Sequence, residues 1–154
     1  MSTVDAGRDA SRDAWRSVWS SLAPIGRDPA SGGYLRLSWS PADLAARKWF
    51  VTEARARALA VETDRNGNLW AWWGDPAAGD AVVTGSHLDS VPHGGGFDGA
   101  LGVASALLAV DALRARNVSP RRPIGIVVFT EEEGSRFGVA CLGSRLLAGT
   151  VDPA

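Results

Sequence analysis

This sequence lacks the features that define several classes of protein. It has one cysteine, Cys141, in 154 residues, so no internal disulfide can form and a disulfide-stapled secreted domain is excluded. Its charge is balanced, with 16 Lys and Arg against 17 Asp and Glu, so no basic excess favours nucleic acid. We therefore expect no nucleic-acid partner and, by default, a cytoplasmic location.

Long apolar runs are also missing. The longest, residues 101–110, is well short of the roughly 20 residues that cross a bilayer. Residues 1–12 mix acidic, basic and polar side chains, and they lack the apolar stretch of a secretory signal. We expect neither export nor a membrane partner.

What the sequence does contain is typical of a folded globular protein, with 45% hydrophobic and 21% charged residues. Its length fits one domain of roughly 100–200 residues, or the front part of something larger. Residues 1–14 are assigned as a polar N-terminal tail. Apolar side chains at helical spacing (Trp15, Val18, Trp19 and Leu22) predict an amphipathic helix over residues 11–22.

The middle of the chain carries local signals for a helix and a hairpin. Residues 23–38 are rich in proline and glycine, which predicts a long loop. Ser40 and Pro41 then match the N-cap and first position of a helix, which we expect to run to about Leu59. Asn66-Gly67, between the apolar runs 61–64 and 69–73, predicts a β-hairpin because both residues tolerate positive φ.

The rest of the chain has the pattern of a βαβ unit. A short apolar strand at 81–85 precedes a glycine-rich loop, a helix at 101–116 and a second strand at 124–130. The predicted fold class is therefore α/β, with a βαβ unit and a mixed sheet covered by helices. Ligands of open α/β sheets bind beyond the carboxyl ends of the strands, so we look for chemistry in the loops after Gly85 and Thr130.

The first of these loops places two histidines and two aspartates within twelve residues. Imidazole and carboxylate are ligands that Zn²⁺ or Mn²⁺ accepts. We expect His93 to have no partner, and Asp98 has a competing interpretation as the cap of the following helix. The four residues are His87, Asp89, His93 and Asp98.

The second loop begins with three consecutive carboxylates, Glu131, Glu132 and Glu133. If the two strands are neighbours, one of them converges with the first loop, and a cation would relieve their mutual repulsion. Polar loops are ordinarily solvated surface, so spacing alone leaves two interpretations open, a metal site and a solvated pair of loops. Cys141 is interpreted as a small buried hydrophobe rather than a nucleophile.

Together these segments resemble a known family. The segments Gly85–Ser90, Gly95–Gly99, Glu131–Phe137 and Leu142–Ser144 resemble motifs of the dinuclear-metal amidohydrolases that include allantoate amidohydrolase and N-carbamoyl-L-amino-acid hydrolase. Acetylornithine deacetylase and carboxypeptidase G belong to the same wider metallopeptidase family. The resemblance covers about Trp15 to the end and implies that residues 15–154 are the N-terminal portion of a zinc-peptidase-like catalytic domain, without the dimerisation domain and the C-terminal half.

The resemblance implies a role for each candidate site residue. His87 corresponds to a ligand of one metal ion, Asp98 to a carboxylate bridging two ions, and Glu133 to a ligand of the second. Asp89 would orient the imidazole of His87, and Glu132 would be the general base. The implied cofactors are two divalent ions, Zn²⁺ or Mn²⁺, with Co²⁺ or Ni²⁺ as alternatives.

The implied activity is hydrolysis of linear C–N bonds in allantoate or N-carbamoyl-L-amino acids. Two alternatives remain, an aminopeptidase or deacylase of the same wider family and an inactive fragment acting as a binding module. The family has two further histidine ligands downstream, whereas this sequence has no histidine after His93. We therefore expect the chain to be inactive alone and to need a downstream polypeptide, and we expect the complete enzyme to be a homodimer.

Overall fold

A computed structural model of the chain describes residues 3–152. Within that range it has four α-helices, one turn of 3-10 helix at Pro76–Ala78 and a single four-stranded sheet. This confirms the predicted α/β class. The elements in chain order are α1 (Thr3–Leu22), α2 (Pro41–Ala56), β1 (Ala60–Thr63), β2 (Leu69–Trp73), β3 (Val82–His87), α3 (Ala100–Ala115), β4 (Ile124–Phe129) and α4 (Leu142–Leu147).

The sheet is mixed and has the strand order β1-β2-β4-β3. The hairpin strands β1 and β2 are antiparallel, as predicted, and β2 also pairs antiparallel with β4. Strands β3 and β4 are parallel, with His87 opposite Phe129. Both therefore end at the same edge of the sheet, and the loops that follow them start side by side.

Helices α2 and α3 pack against one face of the sheet, and α1 packs against both of these helices. Their buried side chains, among them Leu22, Phe50 and Leu107, form one cluster with Ile126 and Val128 of β4. The opposite face carries a smaller cluster in which Trp70 stacks on Trp72 at 5.1 Å. Burial on both faces explains why β4 is almost uniformly apolar.

Helix α1 is longer than the sequence predicts. It begins at Thr3, so residues 3–10, which lie in the assigned polar tail before the predicted helix, are also helical. Their polarity is explained by their position, because residues 7–14 are exposed. Apolar periodicity therefore reported only the part of α1 that touches the core.

Helix α2 begins where the sequence predicts. Ser40 is the N-cap, its hydroxyl accepts a hydrogen bond from the Asp43 amide at 3.2 Å, and Pro41 occupies the first turn. Burial raises the pKa of the Asp43 carboxyl to about 6, despite its hydrogen bond from the Trp39 amide and the charge of Arg47.

Across residues 3–152, no helix combines the length and apolar character needed to traverse a bilayer.

Candidate metal and catalytic site

The candidate site lies at the edge where β3 and β4 end. His87 is the last residue of β3, and it is followed by the first loop, residues 88–99. The second loop, residues 130–141, follows β4. Because β3 and β4 are parallel neighbours, the two loops emerge together, as the βαβ pattern predicts.

The imidazole of His87 is buried, with 7% of the residue exposed, and it faces both loops. Its Nδ1 lies 3.0 Å from the Asp89 carbonyl oxygen, which can only accept, so in the neutral ring Nδ1 carries the proton. Its Nε2 lies 3.7 Å from Asp98 Oδ1 and 3.5 Å from Glu132 Oε2. The lone pair of the neutral ring therefore faces two carboxylates from different loops.

The charges around His87 also shift the pKa of its imidazole. Burial lowers the pKa of the imidazole, but the Asp89 and Glu132 carboxylates outweigh burial, and the pKa is raised above its ordinary value. A divalent ion would compete with a proton for Nε2 of this ring.

Asp89 joins the two loops. Its buried carboxylate accepts a hydrogen bond from the Glu133 amide through Oδ2, at 3.1 Å. Its Oδ1 has no hydrogen bond and lies 3.6 Å from His87 Nδ1. His87 Nδ1 thus donates directly to the backbone carbonyl of Asp89, while the Asp89 carboxylate lies slightly farther from the ring.

The three consecutive glutamates have three different environments. Glu131 is fully buried with φ at +52°, and its Oε1 accepts hydrogen bonds from the Arg136 and Phe137 amides at 2.9 and 2.7 Å. Glu132 points towards His87. Glu133 makes no such close contact with His87; its Oε1 accepts from the Val91 amide at 3.3 Å, and burial is the largest cause of its raised pKa. The sequence treated these residues as one cluster, whereas Glu131 closes its own loop.

Replacing Glu131 with alanine is expected to lower the free energy of unfolding by about 2–4 kcal/mol, because two amides lose a charged acceptor. Glu131→Gln retains an amide oxygen of similar shape and should cost less. Urea unfolding of both variants measures the difference. An alanine variant as stable as wild type would contradict a loop-closing role.

Two further sequence interpretations need correction. His93 does have partners, since its Nδ1 lies 3.0 Å from Ser31 Oγ and 3.3 Å from Asp28 Oδ2. Cys141 is half-buried rather than a core residue, and its thiol donates to Glu132 Oε1 at 3.2 Å. The contacts of His93 join segments far apart in the chain, and that of Cys141 depends on how the second loop folds, so no spacing in the sequence indicated either.

Asp98 does not cap helix α3. The N-cap is Gly99, and no side chain caps that end of the helix. The Asp98 side chain is 66% exposed, and its carboxylate faces the His87 ring. The structure thus removes the competing interpretation of this residue.

The donors at this edge fit a divalent ion in kind. Two atoms that each bind one tetrahedral ion at about 2.1 Å lie about 3.4 Å apart. His87 Nε2 and Asp98 Oδ1, the two expected ligand atoms that face each other, lie 3.7 Å apart, which is near this value and longer than an ordinary hydrogen bond. Within residues 3–152, however, no group of three or more His, Cys, Asp or Glu side chains is arranged to hold an ion. The described residues supply imidazole and carboxylate donors for part of a site.

Comparison with known proteins places this edge in a wider context. The chain is 39% identical over 124 residues to ureidoglycolate hydrolase of Arabidopsis thaliana. It is 40% identical over 133 residues to the N-carbamoyl-L-amino acid amidohydrolase of Geobacillus stearothermophilus, and 38% identical over 133 residues to the allantoate amidohydrolase of Escherichia coli. These matches cover 80–86% of this chain but only 26–32% of the relatives.

The fold agrees with these relationships. A hydantoinase/carbamoylase family amidase from Burkholderia ambifaria superposes with a TM-score of 0.84 at 38% identity, covering 92% of this chain and 35% of that structure. The chain therefore spans about a third of the length of these proteins. The sequence model of peptidase family M28 matches residues 68–153, which is more than half of the chain and includes both site loops. The chain belongs to peptidase family M28 and is similar in sequence to the hydrolases named above.

Proposed function

We propose that this chain forms the N-terminal portion of the catalytic domain of a metal-dependent hydrolase of ureido or N-carbamoyl C–N bonds. The observation that carries the proposal is the position of His87 Nε2, which faces the carboxylates of Asp98 and Glu132 at the shared edge of β3 and β4. The sequence similarity to the two amidohydrolases and to the ureidoglycolate hydrolase named above supports the proposal.

His87, Asp98 and Glu133 are the residues that would hold divalent ions, as is expected in this family. When bound, such ions polarise a carbonyl and make water a stronger nucleophile at neutral pH. Zn²⁺ and Mn²⁺ both accept imidazole and carboxylate ligands, with Co²⁺ and Ni²⁺ as alternatives. Two ions require more ligands than residues 3–152 bring together at this edge.

Glu132 is the proposed general base. Its side chain is only 34% exposed, and Oε1 is held by the Cys141 thiol, which leaves Oε2 directed at the His87 ring. A carboxylate held in this way can take a proton from the attacking water and return it to the leaving nitrogen. Asp89 is proposed to keep His87 oriented through its carbonyl and its buried charge.

The proposed substrates share one chemical group. Allantoate and N-carbamoyl-L-amino acids, and also ureidoglycolate, carry a ureido group, and each is named by a relative at 38–40% identity. The match to a peptidase family supports a second candidate, cleavage of a peptide or acyl-amide bond. Hydrolysis of an N-carbamoyl amino acid compared with a dipeptide discriminates between the two.

We propose that activity needs a further polypeptide, in a complete enzyme that is a homodimer. A direct test of the chemistry is a chimera in which the homologous 133-residue segment of the Geobacillus enzyme is replaced by this chain. Metal-dependent hydrolysis of an N-carbamoyl amino acid by the chimera is expected. A folded chimera that binds metal but hydrolyses neither this substrate nor a dipeptide would contradict the proposal.

Removing Asp98 is expected to weaken Zn²⁺ or Mn²⁺ binding to the chain by at least about tenfold, because Asp98 supplies one of the few available ligands. Calorimetric titration of wild type and Asp98→Ala measures the change. Asp13→Ala is a control that removes the same charge. Asp13 is exposed on α1 and lies far from Asp98 in the sequence. Equal affinities of wild type and Asp98→Ala would contradict the assignment.

A further inference from the structure

The two site loops are bridged by a segment for which the sequence predicts only an irregular loop. Residues 34–38, which we call the crossbar, run before α2, outside the residues matched by the family model. Tyr34, Arg36 and Ser38 are buried, whereas Leu35 between them is exposed. This alternation is typical of an extended segment with one buried face.

One end of the crossbar is bonded to the first loop. The Arg36 amide donates to Ser90 Oγ, and the Ser90 amide donates to the Arg36 carbonyl, both at 3.0 Å. The Tyr34 amide donates to the Gly94 carbonyl at 3.1 Å. The crossbar therefore contacts the first loop on both sides of its turn, with Asp89 directly beside the paired Ser90.

The other end of the crossbar is bonded to the second loop. The Glu131 amide donates to Ser38 Oγ at 3.0 Å, and Arg136 Nη1 donates to the Ser38 carbonyl at 2.8 Å. A single residue thus contacts the second loop at its beginning and in its middle. Neither contact touches Glu132 or Glu133, so any effect of Ser38 on those residues must pass through the backbone.

The centre of the crossbar is a buried cation. Arg36 is 1% exposed, and its guanidinium lies over the Tyr34 ring at 4.4 Å. Its Nε and Nη1 have no hydrogen-bond partner. Burial lowers the pKa of the guanidinium, and the charges of Tyr34, Asp43 and Asp89 oppose that shift. A guanidinium that is buried without hydrogen bonds is costly for stability. Its position in the crossbar, between the bonds to the first loop and the bonds to the second, indicates a role in holding the loops.

We propose that the crossbar sets the separation of the two loops, with Arg36 and Ser38 acting as positioning residues for the candidate site. This inference rests on the proposed function in one respect, that the loops carry the chemistry. The bond between the Glu133 amide and Asp89 Oδ2 joins the same two loops and involves no crossbar residue. It is therefore an independent reporter of their separation.

The test removes, one at a time, the two hydroxyl groups that bond the crossbar to the loops, Ser38 Oγ and Ser90 Oγ, which we call the anchors. Ser38→Ala deletes the acceptor for Glu131, and Ser90→Ala deletes the acceptor for Arg36. Hydrogen exchange of the Glu133 amide, followed by NMR in the full chain, is expected to become about fivefold faster in each variant, the change that one hydrogen bond contributes to an opening equilibrium. In the double variant we expect the two accelerations not to add, because both hydroxyls hold the same connection between the loops and loosening either end already lets the loops separate more often.

A matched control separates loop positioning from general loss of stability. Ser21→Ala removes a hydroxyl that accepts from Trp49 Nε1 at 2.8 Å, a bond that joins α1 to α2 and involves neither loop. Its Glu133 amide should exchange at the wild-type rate. Unchanged exchange in Ser38→Ala and Ser90→Ala, or acceleration that adds up in the double variant, would overturn the inference.

Zinc titration of the same variants distinguishes this inference from the proposed function. If wild type binds Zn²⁺, both anchor variants are expected to bind it several-fold more weakly, while Ser21→Ala binds normally. If wild type does not bind Zn²⁺, the proposed metal site fails. The exchange of the Glu133 amide still decides whether the crossbar positions the loops.

Discussion

Glu132→Gln is expected to lower turnover of the chimeric enzyme by about 10²–10⁴ while leaving its metal content unchanged. Glutamine is nearly isosteric with glutamate and can hydrogen-bond water, but it cannot accept a proton. The carboxylate of Glu132 is the one that lies 3.5 Å from His87 Nε2. Metal analysis and hydrolysis of an N-carbamoyl amino acid, measured on the same preparation, separate catalysis from binding.

Glu133→Gln is the matched control, because it makes the same chemical change one residue away. A neutral amide is a poorer ligand than a carboxylate, so this variant should lose metal before it loses anything else. The opposite pattern, with active Glu132→Gln and metal-retaining Glu133→Gln, would show that the two roles are exchanged along the triplet.

Gly99→Ala is expected to disrupt the site and to lower the free energy of unfolding by about 2–5 kcal/mol. Gly99 has φ at +65°, where an L side chain is strained. A Cβ at this position would lie 2.6 Å from Cε1 and Nδ1 of the His87 ring, so the imidazole would have to move. The backbone strain and the clash with His87 both arise at Gly99, which connects Asp98 to α3.

Gly95→Ala provides the control within the same loop, since a Cβ there meets nothing within 4 Å. Urea unfolding and Zn²⁺ titration of the two variants are the measurements. We expect Gly95→Ala to behave like wild type in both. If Gly99→Ala kept wild-type stability and metal affinity, the close packing of Gly99 on His87 would be irrelevant to the site.

The local elements of this protein are well predicted from the sequence. Ser40 and Pro41 mark the start of α2, and Asn66-Gly67 marks the hairpin turn, as the structure confirms. The βαβ pattern predicts the parallel pairing of β3 and β4. Each of these features depends on interactions between residues close in the chain, and their signals therefore lie within short windows of sequence.

Other features follow from contacts between distant segments. The bond from the Glu131 amide to Ser38 spans 93 residues, and the bond from the Arg36 amide to Ser90 spans 54. Spacing within the Glu triplet could not tell the buried Glu131 from Glu132, because that distinction arises from Ser38 and from the fold of the second loop. Residues 3–10 of α1 were missed for a related reason, since residues 7–10 are exposed and carry no apolar period.

The sequence by itself determined which residue types are available for chemistry, which strands carry them and that both loops follow neighbouring parallel strands. It did so because turn preference, helix capping and hydrophobic periodicity are properties of short segments. Only the tertiary structure decided which Glu carboxylate faces His87, that Asp98 is not a helix cap and that residues 34–38 bridge the two loops. Those outcomes depend on hydrogen bonds and burial between segments far apart in the chain, which no local pattern encodes.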